Sequence, residues 1–393
     1  MAKAAGRLGA ASARTARSFE DADALLGAWR SLRWSRIETD PEFFRTVVES
    51  RPEVLSPHVT LVERDGRPAA MAIGRLEDAP LEFRLGYTKL AAPRMRTLTL
   101  VNGGLSDDAD EGALRLLVEE LLACLARGEA ELLNLAKLRV GSTAHRLALE
   151  LAPSLRRRRF GATSVHWRAA VPGSVEEFLK LRSAGTRKST RYYGRRFPRD
   201  FEGRFALTRL EREDELDRLI AEMAEVNAKT YKSGLGVGIH AASPEQRGLL
   251  ELAARRGLLR VHVLYVDGRP VSFWCGFRYG GGFFSWQNAY DPELADYRVG
   301  RFVMLDLLDE LCSDPEVSFL DWGFGDADYK RSFSDESWLE EDVLVFGPGA
   351  RGLAWNALSS GLRGVEHTVK SVAARGQIGR RVKRAWRRRL TTT

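Results

Sequence analysis

The sequence predicts a mixed α/β fold that contains two tandem copies of one structural unit. Two segments carry this prediction: LVERDGRPAAMAIG at residues 61–74 and LYVDGRPVSFWCG at residues 264–276. Each reads as an apolar strand, an Asp-Gly-Arg-Pro turn and a second apolar strand that ends in glycine. An Asp-Gly pair between two alternating runs is a strong hairpin signal, because the turn needs positive φ at both positions.

The same three elements follow each hairpin. The first copy continues as a strand (RTLTLVNGG), a helix over about residues 112–127 with apolar residues at i, i+3, i+4 and i+7, and a strand (AELLNLAKL). The second continues as GGFFSWQNAYD, a helix over about residues 301–312, and EVSFLDWGF. Asn102 and Asn288 stand at matching strand ends. The order β-β-β-α-β predicts a mixed, mostly antiparallel sheet with its crossover helix on one face.

The composition is that of a globular protein with two domains. The chain has 393 residues, of which 44% are apolar and 29% charged. No apolar run approaches the length of a membrane span, and the first residues lack the hydrophobic segment of a secretion signal, so we expect a cytoplasmic protein. The Ala/Arg/Ser-rich residues 1–17 are expected to form a disordered arm rather than a transit peptide.

The three cysteines predict neither a disulfide nor a metal centre. Cys124, Cys275 and Cys312 each lie in an apolar context, without a CxxC motif or a histidine nearby in the sequence. We therefore expect buried, reduced thiols.

The net charge of +8 is concentrated at the C-terminus. From residue 361 onward there are ten Lys/Arg and one Glu, a net of +9, so the rest of the chain carries 8 − 9 = −1. Leu358, Leu362 and three valines predict an apolar helical stripe, and a second stripe in GRRVKRAWRRRL includes Trp386. A basic amphipathic helix with a tryptophan is typical of an anchor on an anionic membrane surface. Nucleic acid is the alternative, but no nucleic-acid motif accompanies the basic run, so we expect none.

Further motifs reveal a family resemblance. The segments TYKSGLGVGI, NAYDPELADYRVGRFVMLDLL and DWGFGDADYKRSF, with the duplicated hairpin, resemble the CelD-like branch of the GNAT (Gcn5-related N-acetyltransferase) superfamily. The Fem peptidyltransferases are more distant two-lobed relatives. The resemblance implies a degenerate lobe at 18–172 and a lobe with the donor and acceptor sites at 173–350, followed by a basic tail at 351–393. It also implies acyl-CoA as co-substrate and no permanently bound cofactor.

The two copies differ where this family holds acyl-CoA, which is the start of the crossover helix. A helix N-terminus has unpaired N–H groups and a partial positive charge that favour a diphosphate. The second copy has DYRVGR there, so Arg298, Gly300 and Arg301, with Asn288 at the preceding strand end, are the predicted donor-binding residues. The first copy has DDADEG, whose carboxylates cap a helix and repel phosphate. The loop DYRVGR nevertheless lacks the first and last positions of the usual family pattern.

The segment DWGFGDADYKRSF supplies the candidate catalytic residues Asp321, Tyr329 and Lys330, and His240 is a candidate base. Transfer to an amine needs a neutral nitrogen, a polarised carbonyl and a protonated leaving thiolate. Asp321 could orient the amine or cap the Gly323 turn, and Lys330 could stabilise charge or be solvated. The acids do not have EF-hand spacing, and the glycines lack the dinucleotide fingerprint, so we predict neither metal nor nucleotide binding here.

Basic residues before the second hairpin are the candidate acceptor-binding groups. Arg187, Lys188 and Arg191 lie on a predicted helix, and Tyr231 and Lys232 precede a Gly-rich stretch. They could clamp a phosphate or carboxylate, or form an ordinary solvated face.

From the resemblance and the tail, we expect N-acylation of an envelope lipid or polysaccharide amine, most specifically of a long-chain (sphingoid) base, at the inner face of the cytoplasmic membrane. The alternatives are a Fem-like transferase that uses aminoacyl-tRNA and a non-catalytic scaffold in exopolysaccharide synthesis.

Overall fold

A computed structural model describes residues 11–85, 88–159, 163–210, 213–230, 238–241 and 243–374. The strands of these residues are β1 Ala11–Ala16, β2 Val54–Arg64, β3 Arg67–Pro80, β4 Phe83–Leu85, β5 Thr88–Ala91, β6 Arg94–Leu105, β7 Leu132–Arg139, β8 Thr163–Ala170, β9 Phe205–Arg209, β10 Leu259–Val266, β11 Arg269–Tyr279, β12 Gly282–Tyr290, β13 Phe319–Phe324 and β14 Glu336–Phe346.

The α-helices are α1 Phe19–Asp23, α2 Leu26–Ser31, α3 Pro41–Ser50, α4 Glu111–Ala126, α5 Thr143–Leu151, α6 Val175–Lys180, α7 Ala184–Asp200, α8 Leu216–Ala228, α9 Pro244–Arg255, α10 Val299–Ser313, α11 Asp328–Phe333 and α12 Ala350–Ala374. Among the described residues, no helix combines the length and the apolar character needed to cross a bilayer.

The described chain divides into two compact units, and the division differs from the expected boundaries. The first unit consists of residues up to Thr163 and of those from Leu339 onward, and the second runs from Ser164 to Trp338. The expected lobes at 18–172 and 173–350 therefore each misplace a strand. β14 pairs with β7 of the first unit, and β8 pairs with β13 of the second. The amino-acid composition does not change where β8 and β14 begin, so the sequence does not show that each strand pairs in the other unit.

Each unit has a run of six hydrogen-bonded strands, and the first unit also has the two-stranded sheet β4-β5. The first has the order β1-β2-β3-β6-β7-β14, and the second has the order β8-β13-β12-β11-β10-β9. In both six-stranded runs the crossover connection gives one parallel pair, β6 with β7 and β12 with β13, and the other pairs are antiparallel. The predicted mixed, mostly antiparallel architecture is confirmed.

The duplicated hairpins match in detail. Asp65 and Gly66 have φ of 51° and 73°, and Asp267 and Gly268 have φ of 50° and 75°, as the predicted turn requires. Each register slips by one residue just after the turn proline, at Val62/Glu63 and at Leu264/Tyr265. Proline has no N–H to give to the ladder, which explains a bulge beside it.

One crossover helix covers each sheet. In the first unit Leu117 and Leu121 of α4 are fully buried in a cluster with Leu133 of β7. In the second, Leu307 of α10 is fully buried in a cluster with Leu320 of β13. The predicted helix positions are thus correct to within two residues at each end.

The two ends of the chain differ in part from the expectation. Residues 11–16 of the expected disordered arm form β1, which pairs along its whole length with residues 59–64 of β2. Edge pairing satisfies the backbone of this polar segment without an apolar face of its own. Of the tail, α12 is helical to Ala374, while the basic run that follows lies outside the described residues.

Candidate functional site

The parallel strands β12 and β13 separate after a short pairing. Only Gly282–Phe284 of β12 pairs with Phe319–Asp321 of β13. Beyond Asp321, β13 continues along β8, while β12 continues along β11 to Tyr290. The sheet of the second unit therefore splits at Asp321, and the split exposes the facing edges of both strands.

A bulge lies on β12 at this split. Cys275 pairs with Gln287 and Gly276 pairs with Ser285, so Trp286 is an extra residue in the strand. An extra residue of this kind is left out of the regular ladder and interrupts the strand pairing at that point. The sequence does not reveal this feature, because alternation in FFSWQNAY continues through the bulge.

Three of the four predicted donor-binding residues, Arg298, Gly300 and Arg301, form the start of α10. Arg298 is the N-cap, with left-handed φ of 56° and no side-chain capping hydrogen bond. Its guanidinium lies 5.5 Å from the centre of the Tyr193 ring. Arg301 donates from Nη1 to Ser189 Oγ at 2.9 Å. Burial and the neighbouring Arg298 lower the pKa of Arg301, although an arginine remains charged at neutral pH.

Gly300 has an ordinary role in this helix. Its φ is not positive, and an added Cβ would reach Tyr290 Cδ1 at 3.4 Å, which is normal contact. The positive charge at the start of α10 thus comes from its uncapped N–H groups and from two arginines. Gly300 adds no backbone strain there.

Tyr329 and Asn288, predicted separately as catalytic and donor-binding residues, contact each other. Asn288 Nδ2 on β12 donates to Tyr329 Oη on α11 at 3.4 Å. The half-buried Tyr329 ring packs edge-on against Trp274 and Trp322, at 5.7 Å and 5.9 Å between ring centres. These aromatic rings hold the phenol in a fixed orientation.

Asp321 is almost completely buried, with 1% exposure. His166 Nε2 lies 2.7 Å from its Oδ1, which also accepts from Gly323 N at 2.8 Å. Arg168 Nη2 lies 3.5 Å from Oδ2. Asp321 therefore caps the Gly323 turn, which was the alternative role, and the described contacts do not aim it at an acceptor. His166 and Arg168 were missed because they lie on β8, which the sequence analysis assigned to the other lobe.

Lys330 is buried rather than solvated, and its ammonium group bonds backbone carbonyls of the turn. It is 9% exposed, and Nζ donates to Phe324 O at 2.8 Å and to Gly323 O at 3.4 Å. Gly323 and Gly325 have φ of 71° and 96°. Lys330 and Asp321 therefore hold the two sides of the glycine turn that ends β13.

The remaining predicted residues are not brought together with Tyr329 by the described contacts. Arg187 donates to Arg182 O at 2.5 Å and thereby ties α7 to the end of α6. Lys188 and Arg191 are exposed on α7. His240 is exposed, and its backbone N–H donates to Gln246 Oε1 at 2.8 Å. Tyr231 and Lys232 lie outside the described residues.

The first unit fills the corresponding positions with its own side chains. Asp110 caps α4 through Ala113 N at 2.8 Å and pairs with Arg64 at 2.6 Å. This hydrogen-bonded arginine holds the pKa of Asp110 below its ordinary value. On β6, an added Cβ at Gly103 would lie 2.5 Å from Arg36 Cγ, and Asn102 donates to Glu38 at 3.4 Å. The segment around the 3₁₀ turn Ile37–Thr39 thus covers the strand that matches β12.

A His-Cys-Glu cluster also lies in the first unit. His58 Nε2 is 3.4 Å from Cys124 Sγ and 3.9 Å from Glu129 Oε2. Arg17 and Arg127 already bond this carboxylate, at 2.9 Å and 2.5 Å. Burial raises the pKa of the Cys124 thiol to about 11, so this sulfur is protonated at neutral pH, and the two guanidinium groups already neutralise the one carboxylate. We therefore interpret the cluster as structural.

Comparison with known proteins is consistent with this architecture. Residues 184–331 match the family model described as Acetyltransferase (GNAT) domain. This segment is therefore similar to a GNAT-type domain. No curated protein matches the chain.

Solved structures extend the GNAT-like fold over most of the chain. FemX has 10% identity and a TM-score of 0.57, and the match covers 85% of this chain and 97% of FemX. A tandem GNAT protein from the clavulanic acid biosynthesis pathway has 11% identity and a TM-score of 0.50, covering 86% of this chain and 100% of that one.

A third similar structure is the C-terminal domain (DUF2156) of a protein described as a lysylphosphatidylglycerol synthetase from Agrobacterium fabrum. It has 11% identity and a TM-score of 0.50, covering 85% of this chain and 95% of that one. At these identities the similarities establish the fold, which is GNAT-like and tandem.

Proposed function

We propose that the protein is an acyl-CoA-dependent N-acyltransferase whose chemistry takes place in the second unit. The observation that carries this proposal is the start of α10, which has no side-chain cap and is flanked by Arg298 and Arg301. A helix N-terminus with two added cations suits the diphosphate of CoA. The arginine contacts with Tyr193 and Ser189 support the same role, because they orient both side chains at this helix start.

The chemical step uses groups at the split between β12 and β13. The thioester carbonyl oxygen accepts from a backbone N–H at the Trp286 bulge, where the strand ladder is interrupted, and this hydrogen bond stabilises the charge that develops on the oxygen. The neutral amine nitrogen attacks the carbonyl carbon, and the carbon–sulfur bond breaks. Tyr329 Oη gives its proton to the leaving thiolate, and Asn288 Nδ2 stabilises the phenolate. The phenolate then takes the proton that the nitrogen must lose, so the products are an amide and free CoA.

The other predicted residues have supporting roles in this proposal. Asp321 and Lys330 position the turn that follows β13, through Gly323 N and the carbonyls of Gly323 and Phe324. His240 remains a candidate base, and Tyr231, Lys232 and the α7 cations Lys188 and Arg191 remain candidate acceptor contacts.

The acceptor in this proposal is an amine of an envelope lipid or polysaccharide precursor. The aromatic surround of Tyr329, formed by Trp274 and Trp322, favours an amine on an apolar chain, most specifically a long-chain base. The basic tail favours work at an anionic membrane surface. Transfer from an aminoacyl-tRNA is the second candidate. The exposed cations of α7 suit the phosphates of the RNA, and an ester donor requires the same attack on a carbonyl as a thioester donor.

Purified full-length protein incubated with acyl-CoAs of increasing chain length tests the proposal. We expect free thiol and an equimolar amide, measured with a thiol reagent and by mass spectrometry, that depend on a long-chain base. A folded protein that releases no thiol with any amine would contradict acyl-CoA dependence. Product from aminoacyl-tRNA alone would select the second candidate, and no product from either donor would select the scaffold alternative.

A further inference from the structure

Helix α7 has a face of unpaired cations. Lys188, Arg191 and Arg195 are exposed and have no hydrogen bond or ion pair among the described residues. Spacings of three and four place them on one side of the helix, within about 10 Å along its axis. Tyr192, 56% exposed, lies among them. We call these four residues the α7 face.

Other exposed cations of the second unit show that this arrangement is unusual. Arg204 bonds Asp267, Arg218 bonds Glu222, and Arg247 bonds Glu251 at 3.0 Å. On α7 itself, Arg199 pairs with Asp200 at 2.7 Å. These four arginines are balanced by acids, whereas the three cations of the α7 face have no acid partner among the described residues.

The three cations of the α7 face make no hydrogen bond or ion pair with the donor site among the described residues, although Tyr192 packs edge-on against Tyr193 at 5.0 Å between ring centres. Ser189 and Tyr193 are the α7 residues that contact Arg301 and Arg298 at the start of α10. At 3.6 residues per turn, the three cations lie roughly 100° to 160° around the helix from Ser189. A diphosphate held at α10 would thus be on another side of α7, so the cations suit a separate, extended anionic surface.

We infer that the α7 face binds the headgroup layer of an anionic membrane. Lysine and arginine attract anionic lipids, and tyrosine is favoured at the membrane–water interface. A single-stranded nucleic acid is less well matched, because its binding sites combine a basic groove with several stacking aromatic rings. The α7 face is one side of a helix with one exposed aromatic ring. This surface is distinct from the basic tail, and it would orient the second unit on the bilayer.

Vesicle binding by the full-length protein tests the inference without donor or acceptor. We expect the triple variant Lys188→Gln, Arg191→Gln, Arg195→Gln to bind phosphatidylcholine/phosphatidylglycerol vesicles more weakly, by up to about 100-fold at low salt. The matched control Arg204→Gln, Arg218→Gln, Arg247→Gln removes the same charge from paired arginines. An equal loss in both variants would overturn the inference, because overall charge would then explain it.

Fluorescence quenching at single positions distinguishes vesicle binding through the α7 face from vesicle binding through the basic tail. A fluorophore on Tyr192→Cys should be quenched by headgroup spin-labelled lipid, whereas one on exposed Ala221→Cys of α8 should not. Cys124 and Cys275 are buried and Cys312 is half-buried, so the unsubstituted chain gives the labelling blank. Vesicle binding without quenching at position 192 would overturn the inference. So would absent vesicle binding, or selective binding of the α7 face to single-stranded RNA.

Discussion

The two crossover helices begin in opposite electrostatic environments, although the units around them are copies. The start of α4 is capped by Asp110, which is itself paired with Arg64. The start of α10 has no side-chain cap and carries Arg298 and Arg301. One helix start has a side-chain cap from within the chain, and the other has none. The comparison shows how a few substitutions can give two copies of one fold helix starts of opposite charge.

The split sheets show the same contrast. In both units the parallel pair lasts three residues, and its last position pairs Thr99 with Asn134 in the first unit and Phe284 with Asp321 in the second. Asp321 is bonded by His166 and Gly323 N, whereas Asn134 Oδ1 has no partner among the described residues. In the first unit, the segment around Arg36 covers the split.

The largest expected effect comes from these equivalent positions. Asp321→Ala leaves His166 and the Gly323 N–H without their buried partner, and should lower the free energy of unfolding by about 3–5 kcal/mol. Asn134→Ala, the matched control, should cost less than about 1 kcal/mol, since its oxygen loses no bond. Urea unfolding followed by fluorescence measures both. Loss of turnover by Asp321→Ala at unchanged stability would instead show that Asp321 acts in the chemistry.

The next effect concerns the two helix starts. Arg301→Gln should raise the KM for acyl-CoA by about 10- to 100-fold, because a charge-assisted contact with the diphosphate is lost. Arg64→Gln, at the start of α4, should leave that KM unchanged.

Steady-state kinetics at fixed acceptor concentration measure this difference. Ser189→Ala removes the hydrogen bond of Arg301 but keeps its charge, so a smaller effect is expected there. Equal responses of Arg301→Gln and Arg64→Gln would contradict the assignment of the donor to the second unit.

The smallest effect is a difference in pH dependence between two buried histidines. Burial, reinforced by Arg17, lowers the pKa of His58 to about 4 from 6.5. The unfolded chain therefore binds the proton more tightly between those values, and stability is lost as pH falls from 6.5 toward 4. His58→Gln should reduce this loss of unfolding free energy with falling pH, by at most about 1.4 kcal/mol per pH unit.

His262 should behave in the opposite sense. Burial alone lowers its pKa, but Asp306 at 2.6 Å and Glu310 at 2.9 Å raise it overall. Its contribution is complete below the unfolded pKa and is lost as pH rises through the folded pKa. His262→Gln should therefore destabilise more at pH about 6 than at about 8.5. Urea unfolding at several pH values compares both variants, and the same sign for both would contradict this account.

Much of the fold was predictable from local patterns. The Asp-Gly turns, strand alternation and helix periodicity reflect interactions between residues close in sequence, and they placed both hairpins and both crossover helices. The acids at 107–111 and the arginines at 298 and 301 already predicted which helix start suits a phosphate. A charge next to a helix terminus acts locally, so the sequence carries that signal.

The sequence by itself determined the duplication, the mixed sheet and the contrast between the two helix starts, because each follows from spacing and charge within a short segment. Tertiary structure alone decided which groups Asp321 and Lys330 contact. Asp321 is bonded by His166, 155 positions earlier, and such a partner is set by strand pairing that no local pattern specifies. The same holds for β14, which returns to the first unit, and for the Trp286 bulge, because register depends on how whole strands pack.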